Sequence, residues 1–413
     1  MQVGQDVLSP MNKKGSKTLS CATLIISLLI WILSVVQGLP ADHPGQSVDI
    51  FPGDFLEYWA SARLLLTGNN PYSPEEHLAL QRLIVSSTEQ PLMMWNPPWT
   101  LFFLLPFGLV SFSVGHLLWS VSLLICLLVC SAHLWRIYGG QPDRYRIAWL
   151  ICFSVVPTYL TLYVKQIDPL VLLGIVGFLH FQQHKQCWLA GLSLTLAAIK
   201  PHLSYLFWAA LILWILENRQ WRVFFGGAVG GMIATITPLI LMPDVFDHYF
   251  QLYSTNAAPR PFDWKTPTLS TALALLVGLE NTWVRYIPPA TGLIWFTFYW
   301  RKQRSNWNWV EQIPVLLLVS QATTIFAWAW DQIVLLPALI CGAVWAYHGG
   351  RRRMIAAGLL GFLIINLAPL LVMSGVLIPD GFSLFWMVPV FLITYSILSV
   401  HGTQEITISH RAA

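Results

Sequence analysis

The chain has 413 residues; 56% are hydrophobic, only 10% are charged, the mean hydropathy is +0.60 and the net charge is +4. Soluble domains carry about 25% charged residues, so the composition excludes an ordinary soluble enzyme, and no nucleic acid is expected among the partners. The apolar runs are long and do not alternate, which excludes an outer-membrane barrel and leaves an all-α, polytopic integral membrane protein.

In chain order, a basic start (MNKKGSK) leads into an apolar run over 19–39. It continues to about Pro40 without an A-x-A site, so it reads as a retained anchor, not a cleaved signal. Further spans are expected over 114–135, 147–164, 167–181, 188–200, 203–216, 223–242, 283–300, 310–327, 331–347, 354–376 and 382–400, about twelve in all. Two shorter, Pro-flanked pieces, 97–110 and 268–280, are expected to dip into the membrane without crossing it. Irregular backbone at that depth is tolerated only when protein covers it or it lines a wet cavity. The whole of 1–413 reads as one membrane domain.

Charge orients this layout. With the N-terminus cytoplasmic, 16 of the 23 Lys and Arg residues fall in cytoplasmic loops, including RKQR (301–304) and RRR (351–353). Two polar loops, 40–96 and 243–267, then face outward, and the outer basic residues are Arg63, Arg82, Lys165, Lys200, Arg260, Lys265 and Arg285. No Asp, Glu, Lys or Arg falls in the middle of a span, which argues against an ion-coupled transporter and places the chemistry at the outer surface. The six cysteines lie in apolar runs or beside a basic segment, so no disulfide is expected. His202 and His248 read as surface or internally satisfied histidines, and neither a metal nor another cofactor is expected. The absence of an N-x-S/T sequon leans toward a bacterial inner membrane.

The stretch FPGDFLEYWASARLLLTGNNPYSP (51–74) predicts a helix over 54–67. Phe55, Trp59, Ala62 and Leu66 make an apolar stripe, Asp54, Glu57 and Ser61 line another face, and Gly68 and Pro71 end the helix. Such a helix would lie flat at the membrane interface, with Trp and Tyr at headgroup depth. Asp54 with Glu57 has the spacing of a capping box; the same carboxylates also suit chemistry at the surface. WNPPW (95–99) sets a rigid turn that opens the first half-helix.

The ordered pattern resembles glycosyltransferase family 87. It is carried by Asp54 after the first span, Tyr58-Trp59-Ala60, Leu65 through Gly68 to Pro71-Tyr72, and Asn96-Pro97-Pro98. KQIDPLVLL (165–173) is similar to the family's G-Q-x-N-x-L-L-x-L, LAGLSLTLAAIKP (189–201) to its A-G-x-x-x-G-x-A-x-x-x-K stretch, and FAWAWDQIVLLPAL (326–339) to its S-P-x-S-W-x-x-H-x-x-x-L-L segment. Three positions depart from the pattern: Lys165 stands where the family has Gly, Asp168 where it has Asn, and Asp331 near its usual His.

The resemblance implies a C-type fold and sugar transfer, mannose being the first choice, from a polyprenyl-phosphate donor with inversion at the anomeric carbon. The acceptor would be a lipid or a glycan, with bilayer lipids the remaining partners. Such a reaction needs a base for the acceptor hydroxyl and donors for the leaving phosphate. Placement of the carboxylate and the resemblance both point to Asp54 as the base. Lys200, Arg260 and Lys165 are candidates for the donor phosphate, or else snorkel to lipid headgroups. Glu57, Tyr58, Asp168, Trp330 and Asp331 are candidates for sugar contact, the two later aspartates also being placed to cap helices. A flippase for lipid-linked sugars is the alternative reading; it would require polar stripes deep in several spans.

Overall fold

The computed structural model describes residues 52–86, 88–254, 260–261, 264–349, 352–373 and 384–412, and every regular element among them is helical. The chain runs through α1 (Phe55–Leu66), α2 (Pro74–Arg82), α3 (Leu101–Gly108), α4 (Phe112–Ile137), α5 (Arg146–Phe153), α6 (Val156–Val164), α7 (Asp168–Gln183) and α8 (Cys187–Ala197). It continues through α9 (Tyr205–Asn218), α10 (Trp221–Leu241), α11 (Val245–Ser254), α12 (Leu269–Val277), α13 (Ile287–Gln303), α14 (Trp309–Thr323), α15 (Leu336–Gly349), α16 (Arg352–Met373) and α17 (Met387–Ala412). Short 3-10 turns at Pro98–Thr100, Pro201–Ser204 and Trp330–Leu335 lead into α3, α9 and α15.

Helices occur where the apolar runs predicted them in the described residues, but most of those helices fall short of spanning length. Among the described residues three are long and apolar enough to cross a bilayer: Phe112–Ile137, Trp221–Leu241 and the continuous stretch Trp330–His348. The expected span 147–164 is instead two helices bent by 71°, a fourth crossing if the pair is counted as one. The break has a local cause. Val156 N–H, freed at the start of α6, donates to Asn366 Oδ1 of α16 at 2.8 Å, and Thr158 Oγ1 donates to Cys152 O. The span expected over 188–200 is the eleven-residue α8, which ends before Lys200. The span over 19–39, the N-terminal part of loop 40–96 and parts of 243–267, 354–376 and 382–400 lie outside the described residues. The five described cysteines are free thiols.

α1 does not keep one face wet. Phe55, Trp59 and Ala62 are buried as expected, and so are Tyr58, Ser61, Leu64 and Leu65 on the other sides. Phe55 stacks on Trp119 of α4 with ring centroids 5.8 Å apart and meets Phe107 and Phe112 edge-on or tilted. Trp59 Nε1 donates to Val110 O at 3.1 Å, and Ser61 Oγ lies 3.2 Å from His77 Nε2. A ring like Phe55, wholly buried, contributes roughly 1.5–3 kcal/mol by leaving water. The helix is therefore a core element packed against the half-helix α3 and the start of α4.

Close backbone packing sets the position of α8, which leads into Lys200. A Cβ at Gly191 would stand 2.0 Å from Val223 O of α10, and one at Gly226 would stand 2.3 Å from Trp188 O of α8. Small residues at such crossings let membrane helices approach closely. Gly191→Ala is therefore expected to lower stability by about 1–3 kcal/mol through overpacking. Gly231→Ala on the same α10, where an added Cβ meets nothing within 4 Å, is the control. Thermal unfolding in lipid nanodiscs reads the difference; equal midpoints would refute the close crossing.

Candidate active site

Gly53 sets the first carboxylate. Its φ of +61° is the left-handed conformation that glycine adopts without strain, and a Cβ there would stand 2.5 Å from Val164 O. This close approach lets Asp54 N–H donate to that same Val164 O at 2.7 Å. Asp54 has helical backbone angles and its side chain makes no capping hydrogen bond, so the capping-box expectation does not hold. The carboxylate turns instead toward the loop after α6, where Oδ2 accepts from Gln166 Nε2 at 2.6 Å. Gln166 Oε1 accepts from Ile167 N at 2.9 Å and from the Tyr58 hydroxyl.

Lys200 makes the second cluster. Its ammonium lies 2.8 Å from Asp331 Oδ1 and 3.1 Å from Asp168 Oδ1. Asp168 Oδ2, at 3.2 Å, takes the hydrogen bond, while Oδ1 accepts none. Asp331 Oδ2 accepts from Trp328 N at 2.6 Å. Lys200 is 9% exposed, Asp168 0% and Asp331 3%, so water screens little of this attraction. The residues just before Lys200 are clamped by the WNPPW turn: Trp99 Nε1 donates to Ala198 O at 2.9 Å and Asn96 Nδ2 to Ile199 O at 3.4 Å.

Both clusters border one cavity of about 540 Å³, whose walls include Asp54, Glu57, Tyr58, Gln166, Lys200 and Asp331. An aromatic arc continues around it. Trp328 stacks on Trp330 at 5.0 Å; Trp264 stands 5.9 Å from Trp328 and 6.5 Å from Trp95, and Trp95 is 5.1 Å from Tyr253. His202 also lines the cavity, with burial pulling its imidazole down to about 4 so that it is neutral near pH 7. Burial pushes Asp54 up to about 7, a rise that Lys200 opposes and Asp331 reinforces. Burial and then the charge of Asp54 raise Glu57 as well. Among the described residues no three His, Cys, Asp or Glu side chains are grouped as metal ligands.

The structure therefore gathers Asp54, Glu57, Tyr58, Lys200, Trp330 and Asp331 in one cavity, with Asp168 directly behind Lys200. It does not bring in Lys165, a candidate for the donor phosphate. Lys165 is 1% exposed, is not on the cavity wall, and has its side chain packed beside Gly53. Burial pulls its ammonium down to about 8. Its φ of +58° is left-handed, a conformation that glycine takes freely and a lysine rarely. Arg260 is not on the wall either, although the adjacent Pro261 is. Gln166 is neutral and gave no signal of its own though it lies inside KQIDPLVLL, and His202, expected to be a surface or satisfied histidine, lines the cavity. Tyr249, Tyr253 and Trp264 carried no local signal; WNPPW was read only as a turn.

An all-helical chain with membrane-length apolar helices, whose carboxylates and aromatic rings share one cavity, has the makings of a membrane enzyme acting on sugars. The family model for glycosyltransferase family 87 matches residues 95–330, more than half of the chain, and the protein belongs to that family. The match starts at Trp95 of WNPPW and ends at Trp330, one residue before Asp331, so it takes in Gln166, Asp168 and Lys200 but not Asp54. Comparison with curated proteins and with solved structures gave no match.

Lys200→Met would leave two carboxylates facing each other in the interior, and is expected to cost about 3–5 kcal/mol. Asp168→Asn keeps a hydrogen-bond acceptor for Lys200 and should cost less, about 1–3 kcal/mol. Thermal unfolding of both variants checks the order; a Lys200→Met protein as stable as wild type would contradict the buried cluster.

Proposed function

We propose that this glycosyltransferase moves a sugar from a polyprenyl-phosphate donor to a hydroxyl of a lipid or glycan acceptor at the outer face of a bacterial inner membrane. Mannose is the first sugar to try. The carrying observation is that an uncapped Asp54 carboxylate borders the same cavity as Lys200 and the aromatic arc.

In this reading the acceptor oxygen attacks the anomeric carbon from the face opposite the phosphate. The bond from that carbon to the phosphate oxygen breaks, polyprenyl phosphate leaves with the electron pair, and the hydroxyl proton passes to Asp54. The anomeric centre is inverted. A base with a pKa near the working pH is best matched to such a transfer, which the position of Asp54 near 7 supports.

An ammonium has three N–H donors. Lys200 uses two, one on Asp168 and one on Asp331, and the third is available to a phosphate oxygen. Its two carboxylate partners hold it in place and more than offset its single charge, so it acts as an oriented donor more than as a free cation. Arg260, beside the cavity wall, is the second candidate for the phosphate. The indole faces of Trp328 and Trp330 suit the apolar face of a sugar ring, and Glu57 suits its hydroxyls. Lys165 has no direct role here, so Lys165→Met should leave the donor KM unchanged.

Transfer is measured with protein in nanodiscs, a polyprenyl-phosphate sugar and a membrane lipid extract as acceptor source. Asp54→Asn should lower kcat by roughly 10²–10⁴-fold, the span of general base catalysis. The sign of the pH dependence follows from the base being active when ionised. In wild type, kcat/KM should rise with pH through about 7 and then level off, tracking deprotonation of Asp54. Undiminished transfer by Asp54→Asn would remove Asp54 as the base.

A further inference from the structure

Gln166 carries no charge, yet it is the residue that fixes the orientation of Asp54. Which end of its amide is oxygen can be settled from its neighbours. The Ile167 backbone N–H can only donate, so the end it approaches at 2.9 Å is Oε1. The other end, Nε2, then faces Asp54 Oδ2 at 2.6 Å. Because Oε1 can only accept, the Tyr58 hydroxyl spends its proton there. The amide is held at its oxygen from two directions and cannot turn over without placing N–H against N–H.

Asp54 is held as firmly. Its backbone N–H is on Val164 O and its Oδ2 is on Gln166, while Oδ1 accepts no hydrogen bond among the described residues. We propose that Gln166 is a positioning residue for sugar transfer: locked by Tyr58 and the Ile167 backbone, its amide presents one N–H to Asp54 Oδ2 and thereby assigns Oδ1 to take the acceptor's proton. The inference rests on Asp54 being the base. A neutral amide suits the task, because it orients the carboxylate without a cation's full suppression of its basicity. Tyr58, expected to touch the sugar, becomes the support of this amide.

Asp54 is faced by Glu57 and Tyr58 of its own helix and, across the cavity, by Lys200 and Asp331, with Asp168 behind them. All but Tyr58 are unchanged in the variants below. Gln166→Met keeps the side-chain length and removes both amide functions. A hydrogen bond to the ionised form favours that form, so its loss should move the acidic limb of the kcat/KM profile upward by about one pH unit. It should also lower kcat about tenfold or more through lost orientation, with donor KM unchanged. Tyr58→Phe removes only the support of the amide and should shift the limb in the same direction by less.

A limb that stays in place in both variants overturns the proposal, whether activity is kept or lost, since a merely structural Gln166 would affect folded yield and not the titration of the base. If Gln166→Met does not fold, Tyr58→Phe decides alone: an upward shift supports the proposal and none overturns it. Undiminished activity of Asp54→Asn would instead strike the proposed base itself. An essential Asp54 with an unmoved limb in these variants strikes only the role of Gln166.

Discussion

The cavity depends on one buried contact, the ammonium of Lys200 between the carboxylates of Asp168 and Asp331. An ionised group taken out of water costs several kcal/mol unless oppositely charged partners and hydrogen bonds replace the water. That requirement draws together three pieces of chain far apart in sequence: the start of α7, the segment leaving α8 and the 3-10 turn before α15. Asp331 brings Trp330 with it and fixes the backbone at Trp328, so the stacked indole pair is placed by the same ion cluster. The WNPPW turn closes over the backbone just ahead of Lys200. The turn leads into α3, whose Leu101, Leu104 and Gly108 are buried.

The opposite pole is built without charge pairing. Gly53 allows the chain to press against Val164, and that contact delivers Asp54 to Gln166. The two poles differ in a way that suits transfer. At one, a cation is anchored between two carboxyl groups. At the other, a carboxylate is oriented by a neutral amide and left with an oxygen unbonded. Asp168 and Asp331, far apart in sequence, meet on the same lysine.

The all-α class, the helices α1, α3 and α12 and the long helix α4 were legible from apolar periodicity and Pro and Gly placement. The number of crossings was not, because an apolar run shows that a segment avoids water but not that it stays straight. The run over 147–164 breaks where Asn366, on a distant helix, accepts the Val156 N–H. The wet face expected of α1 is instead covered, because it meets its own partners: His77 takes Ser61, and Gln166 takes Tyr58. Charged residues at the outer surface could be named as candidates, but their pairing could not. The partners of Lys200 lie 32 and 131 positions away. Lys165 looked equivalent to Lys200 by charge; the structure separates them, since Lys200 lies on the cavity wall between Asp168 and Asp331 whereas Lys165 is off that wall with a left-handed backbone.

The most direct test of this account is a structure of the Asp54→Asn protein in nanodiscs with a polyprenyl-phosphate sugar bound. The account predicts the donor phosphate against Lys200 Nζ and the sugar beside the Trp328–Trp330 pair. The anomeric carbon should be open on the side of residue 54. A phosphate bound away from this cavity, for instance in the apolar groove of about 430 Å³ among α5, α15, α16 and α17, would contradict it.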